Sequence, residues 1–267
     1  VRAALAVGLL LGALLLPGAA HAQPVTSRHL VSGVLITRPG GAYLRYDYRV
    51  PVGPESVGLH VGVFDRFLVF SNEVGAQVLV QTAPPWLSLQ LEGAVEPGFF
   101  RKLRPGDEAL PVGSTDIPLS FGVRGSLRAQ ANVNLQLQSV WLYSRTQLGL
   151  RSRTSAEDDI FLKVRLPAGW RELGWEQASA LMFRVAGAPP REKKPTLWAY
   201  GEHTIGQVVT LGGPFPSAQR PHRVSVGVIA ERWPAQGVFL NLDLYYSLLE
   251  EPDLRGAGLI LAAGWGF

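Results

Sequence analysis

Gly256-Ala-Gly-Leu-Ile-Leu-Ala-Ala-Gly-Trp-Gly-Phe267 is the stretch on which the fold turns. Counting back by twos from Phe267 gives Trp265, Ala263, Leu261, Leu259 and Ala257, all apolar. The positions between them, Gly266, Gly264, Ala262, Ile260 and Gly258, are mostly small. Successive side chains of a β-strand point to opposite faces. The segment is therefore a strand with one greasy face and one face that leaves room.

The same period of two recurs upstream. Leu44-Arg45-Tyr46-Asp47-Tyr48-Arg49-Val50 places aliphatic and aromatic residues on one face and three charges on the other. Val57 to Val63, Leu87 to Glu92, Ile117 to Arg124, Val133 to Gln138 and Ile160 to Leu166 repeat the scheme, and Arg223 to Val228 and Val238 to Leu244 are its cleanest examples. Runs rich in Val, Leu and aromatics between turn residues are the strand signature. Candidate strands start near Arg28, Ala42, Ser56, Phe67, Trp86, Ile117, Ala131, Asp159, Ala180, Leu197, Arg223, Gln236 and Gly256. Turns are expected at Pro39-Gly40-Gly41, at Asp65 between Phe64 and Phe67, at Gly212-Gly213-Pro214, and from Arg232 to Gln236. Ala94 to Thr115, with Glu96-Pro97-Gly98 and Arg104-Pro105-Gly106, reads as a long polar loop.

Composition narrows the class. Of 267 residues, 47% are hydrophobic and 17% charged, with a mean hydropathy of +0.13. That is apolar for a soluble protein, yet beyond the first residues no apolar run approaches the ~20 needed for a spanning helix. Dispersing hydrophobicity by alternation is how a transmembrane barrel carries it. At the start, Ala3 to Leu16 is an uncharged Leu/Ala run after Arg2, broken by Pro17-Gly18 and followed by Ala20-His21-Ala22. This has the form of a secretory signal peptide, so residues 1–22 are expected to be a leader cleaved after Ala22. Residues 23–267 then form a single domain. There is no Cys, which excludes disulfides, Cys-based metal sites and a lipidated cysteine. The net charge of +4 is too small to argue for nucleic acid.

A terminal Phe267 with Trp265 two residues before it resembles the C-terminal signal of bacterial outer-membrane β-barrels. The resemblance implies an all-β fold, an antiparallel up-and-down transmembrane barrel. Single-chain bacterial barrels have an even number of strands, so the candidates condense to about 12, within bounds of about 10 and 14. It also implies an outer-membrane location, lipid around the wall, and a barrel-assembly machinery that reads Phe267, Trp265, Leu261 and Leu259. With Phe267 at the periplasmic rim, Ser247 to Arg255 falls on the extracellular side. Trp86, Trp198, Trp233 and Trp265 at strand ends fit an interfacial girdle. Val61 to Phe67 looks like a segment of transporter-type outer-membrane barrels.

Chemistry is sparse. His29, His60, His203 and His222 show no metal spacing, and no cofactor or metal is expected. His222 and Ser225 lie three apart on one strand and face opposite ways, which defeats a nucleophile–base pair. Glu202 and His203, as strand neighbours, do the same. Asp158 and Asp159, beside Glu157, read as a solvated loop edge. What remains is the inner wall: Arg45, Asp47, Arg49, Arg124, Lys163, Arg165, Arg223 and Asp243, together with His60, Gln90, Glu92, Asn134, Gln136, Gln138 and Asn241. These residues either line a mildly cationic pore, since rings of Arg and Lys favour anions, or pair across a narrow lumen and close it. A channel or transporter for small or apolar solutes is the first expectation. A non-conducting structural or adhesive barrel is the second, and a lipid-modifying or proteolytic barrel enzyme the third. The solute, the oligomeric state and the role of residues 23–41 are not legible.

Overall fold

A computed structural model of the chain describes residues 28–36, 41–53, 58–68, 71–82, 86–111, 114–153, 155–159, 164–166, 168–169, 171–188, 194–211, 222–232, 237–248 and 256–267. The expected leader and Lys163, Trp233 and Gly212-Gly213-Pro214 lie outside them.

The strands are β1 (His29–Ile36), β2 (Gly41–Pro51), β3 (Leu59–Leu68), β4 (Asn72–Gln81), β5 (Leu87–Lys102), β6 (Leu119–Gln136), β7 (Val140–Arg153), β8 (Glu157–Asp159), β9 (Val164–Leu166), β10 (Arg171–Gly187), β11 (Thr196–Leu211), β12 (His222–Glu231), β13 (Val238–Ser247) and β14 (Gly256–Gly266). All but β8 and β9 pair antiparallel in sequence order. β1 pairs with both β2 and β14, so a 12-strand sheet closes on itself. The seam is completed by reciprocal backbone hydrogen bonds of 3.0 Å between His29 and Phe267. Closure removes the sheet edge, which is what a spanning sheet needs where no water can satisfy a free N–H or C=O.

Alternation places the faces. On β13, Phe239, Asn241, Asp243 and Tyr245 are buried inside, whereas Leu240, Leu242, Leu244 and Tyr246 face outward. Leu44 and Val226 are each 61% exposed. A continuous apolar exterior of this kind would be an aggregation hazard in water, but it is the lipid-facing band of a membrane barrel. Trp86, Trp265 and Phe267 face outward near one end of the barrel, and Phe67, Phe99 and Phe121 near the other. Trp198 is an exception to the expected girdle. It is fully buried inside the barrel, because Leu197 and Ala199 take the outward positions of β11.

The expected strand number stands, through differences that cancel. The candidates at Ile117 and Ala131 are one long strand, β6. β7 had no candidate, because Trp141 and Tyr143 face inward while Ser144 and Thr146 face outward, which blurs the alternation. The candidate at Asp159 is the small hairpin β8–β9, which pairs with β5 above the wall and adds no barrel strand. Ala94 to Lys102 is strand rather than loop, with Pro97 and Gly98 in register opposite Val123 and Gly122. Asp65 is not a turn either. It lies within β3, opposite Tyr46 and Val74.

The turn after β12 is where expected. Arg232 has φ 60°, Gly237 has φ 80°, and a Cβ on Gly237 would come within 2.1 Å of the Gly266 carbonyl. Only glycine fits there. The three-residue connection 137–139 lies at the same end as His29 and Phe267, whereas the long connections 103–118 and 154–170 lie at the other, beside the equally short 69–71. Short turns mark the periplasmic end of such barrels and long loops the extracellular end. The connection from Ser247 to Gly256 is on the loop end. No helix among the described residues is long and apolar enough to cross a membrane.

Candidate functional site

Many of the described inward residues pair with one another across strands. Arg45 on β2 binds Asp47 on its own strand through Nε (2.9 Å) and Nη2 (2.7 Å), and reaches Glu92 on β5 at 2.6 Å. Glu92 also accepts from Arg128 Nη1 at 3.0 Å and from Gln90 at 2.8 Å. Arg49 lies 3.3 Å from Asp47, and Gln77 donates to Asp47 at 2.6 Å. Arg66 pairs with Glu73, which accepts from Ser126 at 2.7 Å. The Arg45 guanidinium stacks 4.2 Å from the Phe64 ring centre. Asp47 is 1% exposed and Glu92 6%. A cavity of about 80 Å³ lies beside this network and is touched by residues of β1, β2, β3, β5, β6, β7, β13 and β14.

A second cluster lies across the barrel. Arg145 on β7 binds Glu176 on β10 at 2.7 Å, and Arg223 on β12 lies 3.3 Å from Glu202 on β11. Toward the turn end these give way to an apolar layer of Trp141, Tyr143, Ala180, Met182, Trp198, Tyr200 and Ile229. Trp141 and Trp198 meet edge to face with ring centres 5.5 Å apart. The room left by the small face of β14 is taken by neighbours on β13. A Cβ on Gly258 would come within 2.3 Å of the Tyr245 ring, and Phe239 covers Gly264 in the same way.

The loop end is covered as well. Glu157 on β8 is completely buried and accepts from Arg124 Nη2 at 2.9 Å and Ser155 Oγ at 3.0 Å. Arg124 in turn stacks 3.7 Å from the Phe100 ring centre. Arg101 on β5 donates to the Ile117 carbonyl at 2.8 Å and ties the 103–118 loop to the rim. Removing a carboxylate that holds buried guanidinium groups frees what it anchors. Glu157→Ala is therefore expected to speed protease cleavage between Arg153 and Arg171 by about tenfold or more, while the melting of the barrel itself stays put. Limited proteolysis beside a thermal gel-shift series checks both.

The expected wall residues divide accordingly. Arg45, Asp47, Arg49, Arg124, Arg223 and Asp243 all project inward, as do His60, Gln90, Glu92, Asn134, Gln136 and Asn241. Gln138 is exposed in the 137–139 turn and lines nothing. Arg165 lies on β9, which pairs with β8 and is not one of the twelve wall strands. Ser225 is buried inside and His222 exposed outside, and Glu202 and His203 divide in the same way. Asp158 and Asp159 are on β8. Arg66, Glu73, Arg128, Arg145 and Glu176 were not singled out. Each sits at an inward position of an alternating strand, and that is the signal that could have found them. Among the described residues no group of three or more His, Asp or Glu could hold a metal.

No protein-family model and no curated protein matches this chain. Solved structures do match. The β domain of the Bordetella autotransporter BrkA superposes with a TM-score of 0.56 at 11% identity, over 90% of this chain and 98% of that one. The fold is that of a bacterial outer-membrane β-barrel. The transport unit of the autotransporter AIDA-I from Escherichia coli matches over 100% of this chain and 98% of its own, with a TM-score of 0.45 at 10% identity. LpxR from Salmonella typhimurium matches over 89% of this chain and 100% of its own, with a TM-score of 0.44 at 10% identity. At these identities the likeness shows the fold alone.

Proposed function

We propose that the chain spans the outer membrane as a barrel with its lumen shut, and works through its loop end and lipid-facing wall rather than by passing solutes. One observation carries the reading. Arg45, Asp47, Glu92 and Arg128, from β2, β5 and β6, join in a buried ion network that crosses a chord of the barrel. A water-filled pore needs hydrated side chains along its wall, whereas these are desolvated and paired. Of the two readings of the inner charges, the filled interior favours closure.

The test is conductance. Purified barrel, checked for heat-modifiable migration on SDS gels, is reconstituted into planar bilayers. Recordings are expected to stay at baseline. Reproducible ohmic steps from the unmodified protein would sink the closed reading and restore the channel.

A further inference from the structure

The outer wall carries a feature that neither the fold nor a closed lumen requires. Ser144, Thr146, Gln177, Ser179, His203 and His222 occupy outward positions on β7, β10, β11 and β12. Strand register puts Thr146 opposite Gln177, and Ser179 opposite both Ser144 and His203. Gln177 Nε2 donates to Ser144 Oγ at 2.6 Å and lies 3.5 Å from Ser179 Oγ, while Thr146 Oγ1 donates to Gln177 Oε1. His203 and His222 share a 2.9 Å contact between their Nε2 atoms. This polar island lies inside the apolar band. Leu181 and Phe183 continue β10 on its turn side, and Leu148 and Trp175 flank it on the loop side.

Polar side chains that face hydrocarbon are costly and mark function by default. Hydrogen bonds within the island satisfy only part of its capacity, since each hydroxyl can donate one bond and accept two. Beside it runs an open groove of about 600 Å³. The groove exists because Gly201 faces outward without a side chain, and a Cβ there would meet nothing closer than 3.9 Å. Ser144, Ser179 and Gly201 floor the groove, Val133, Leu142 and Leu181 line its sides, and His203 stands at its loop-side end. His222 opens β12 at its loop end, while on β10 the island stays between the apolar Trp175 and Leu181.

An open, mostly apolar groove with two serine hydroxyls on its floor and the His203 imidazole at one end matches an acyl lipid. We propose that this groove binds one membrane lipid, its chain along Val133, Leu142 and Leu181 and its ester or amide group at Ser144, Ser179 and His203. The site rests on the wall facing lipid, as the proposed function does, but not on the lumen being shut. Conductance steps would leave it standing. A barrel absent from the membrane fraction would remove both readings.

Native mass spectrometry of the full, delipidated chain tests it, with phosphatidylethanolamine and lipid A titrated separately to tell a phospholipid from a glycolipid. Two variants are compared with the unmodified protein. Ser144→Ala/Ser179→Ala removes the hydroxyls and keeps the shape, and Gly201→Leu fills the groove and keeps the hydroxyls. A heat-modifiable gel shift certifies each fold, and if Gly201→Leu does not fold the serine variant decides. The unmodified chain is expected to hold one copy of one of the two lipids. Both variants should need about tenfold more lipid for half-saturation, the loss expected for one or two hydrogen bonds. Equal retention by all three proteins would overturn the site. So would a dimer of the unmodified chain that both variants abolish, which would assign the face to a second copy instead.

Discussion

Replacing Glu92 by alanine is expected to cost about 3–5 kcal/mol of stability. Glu92 receives Arg45 at 2.6 Å and Arg128 at 3.0 Å, with Arg66 Nη2 at 3.9 Å. Taking away this one carboxylate leaves three guanidinium groups in a desolvated interior, where only Asp47 and Glu73 remain to offset them. The penalty comes from buried charge left without a partner, since an intact buried pair is worth little net stability. A double-mutant cycle separates the two. Arg128→Ala combined with Glu92→Ala should be less damaging than the sum of the single changes, because the second change removes a charge that the first had stranded. Urea unfolding of the barrel in lipid vesicles, followed by tryptophan fluorescence, measures each corner. A loss under about 1 kcal/mol for Glu92→Ala would mean that water already reaches these groups, and the interior would then have to be read as an open lumen.

Trp198→Ala should be about as damaging, for a different reason. Trp198 is wholly buried, meets Trp141 edge to face, and donates from Nε1 to Glu231 at 3.1 Å. Truncating a buried Trp costs about 3–5 kcal/mol through lost contacts and the cavity left behind, and stranding its hydrogen-bond partner adds to that. Trp198→Phe keeps most of the ring volume and loses the N–H, so it should fall well short of the alanine change. The same unfolding experiment ranks the two. The cavity would also open in the apolar layer of β7, β10, β11 and β12 toward the turn end, so under the proposed closed lumen Trp198→Ala is the variant in which bilayer current should first appear. If phenylalanine and alanine cost the same, the hydrogen bond to Glu231 dominates and packing between the two tryptophans is secondary.

The two predictions differ in what the sequence disclosed: the facing of Glu92 was readable and its partners were not, whereas Trp198 was expected in the outward girdle and is buried inside. Arg45, Asp47 and Arg49 fall on one face of Leu44 to Val50 by simple alternation, so their inward direction followed from the sequence. That Arg45 meets Glu92, three strands away around the wall, depends on strand stagger and barrel width. Trp198 and Trp265 look alike as aromatics near strand ends, yet one seals the interior and the other faces lipid. The difference is one of parity along each strand. β7 escaped notice because its inner face holds Trp141 and Tyr143 while its outer face holds Ser144 and Thr146, the reverse of the usual contrast. The outward meeting of His203 and His222 comes from the pairing of Ile205 with His222, which no spacing along the chain announces.

By itself the sequence determined an all-β barrel, its apolar outside and charged inside, and the turn at Arg232. These follow from the period of two and from its interruption between Arg232 and Gln236, which are local properties of the chain. Tertiary structure alone decided which inner charges pair across strands, that Tyr245 and Phe239 fill the room left by the small face of β14, and that a polar island gathers on the outer wall. Those outcomes depend on register and closure, which bring residues from separate strands within hydrogen-bonding distance, and no local pattern encodes that distance.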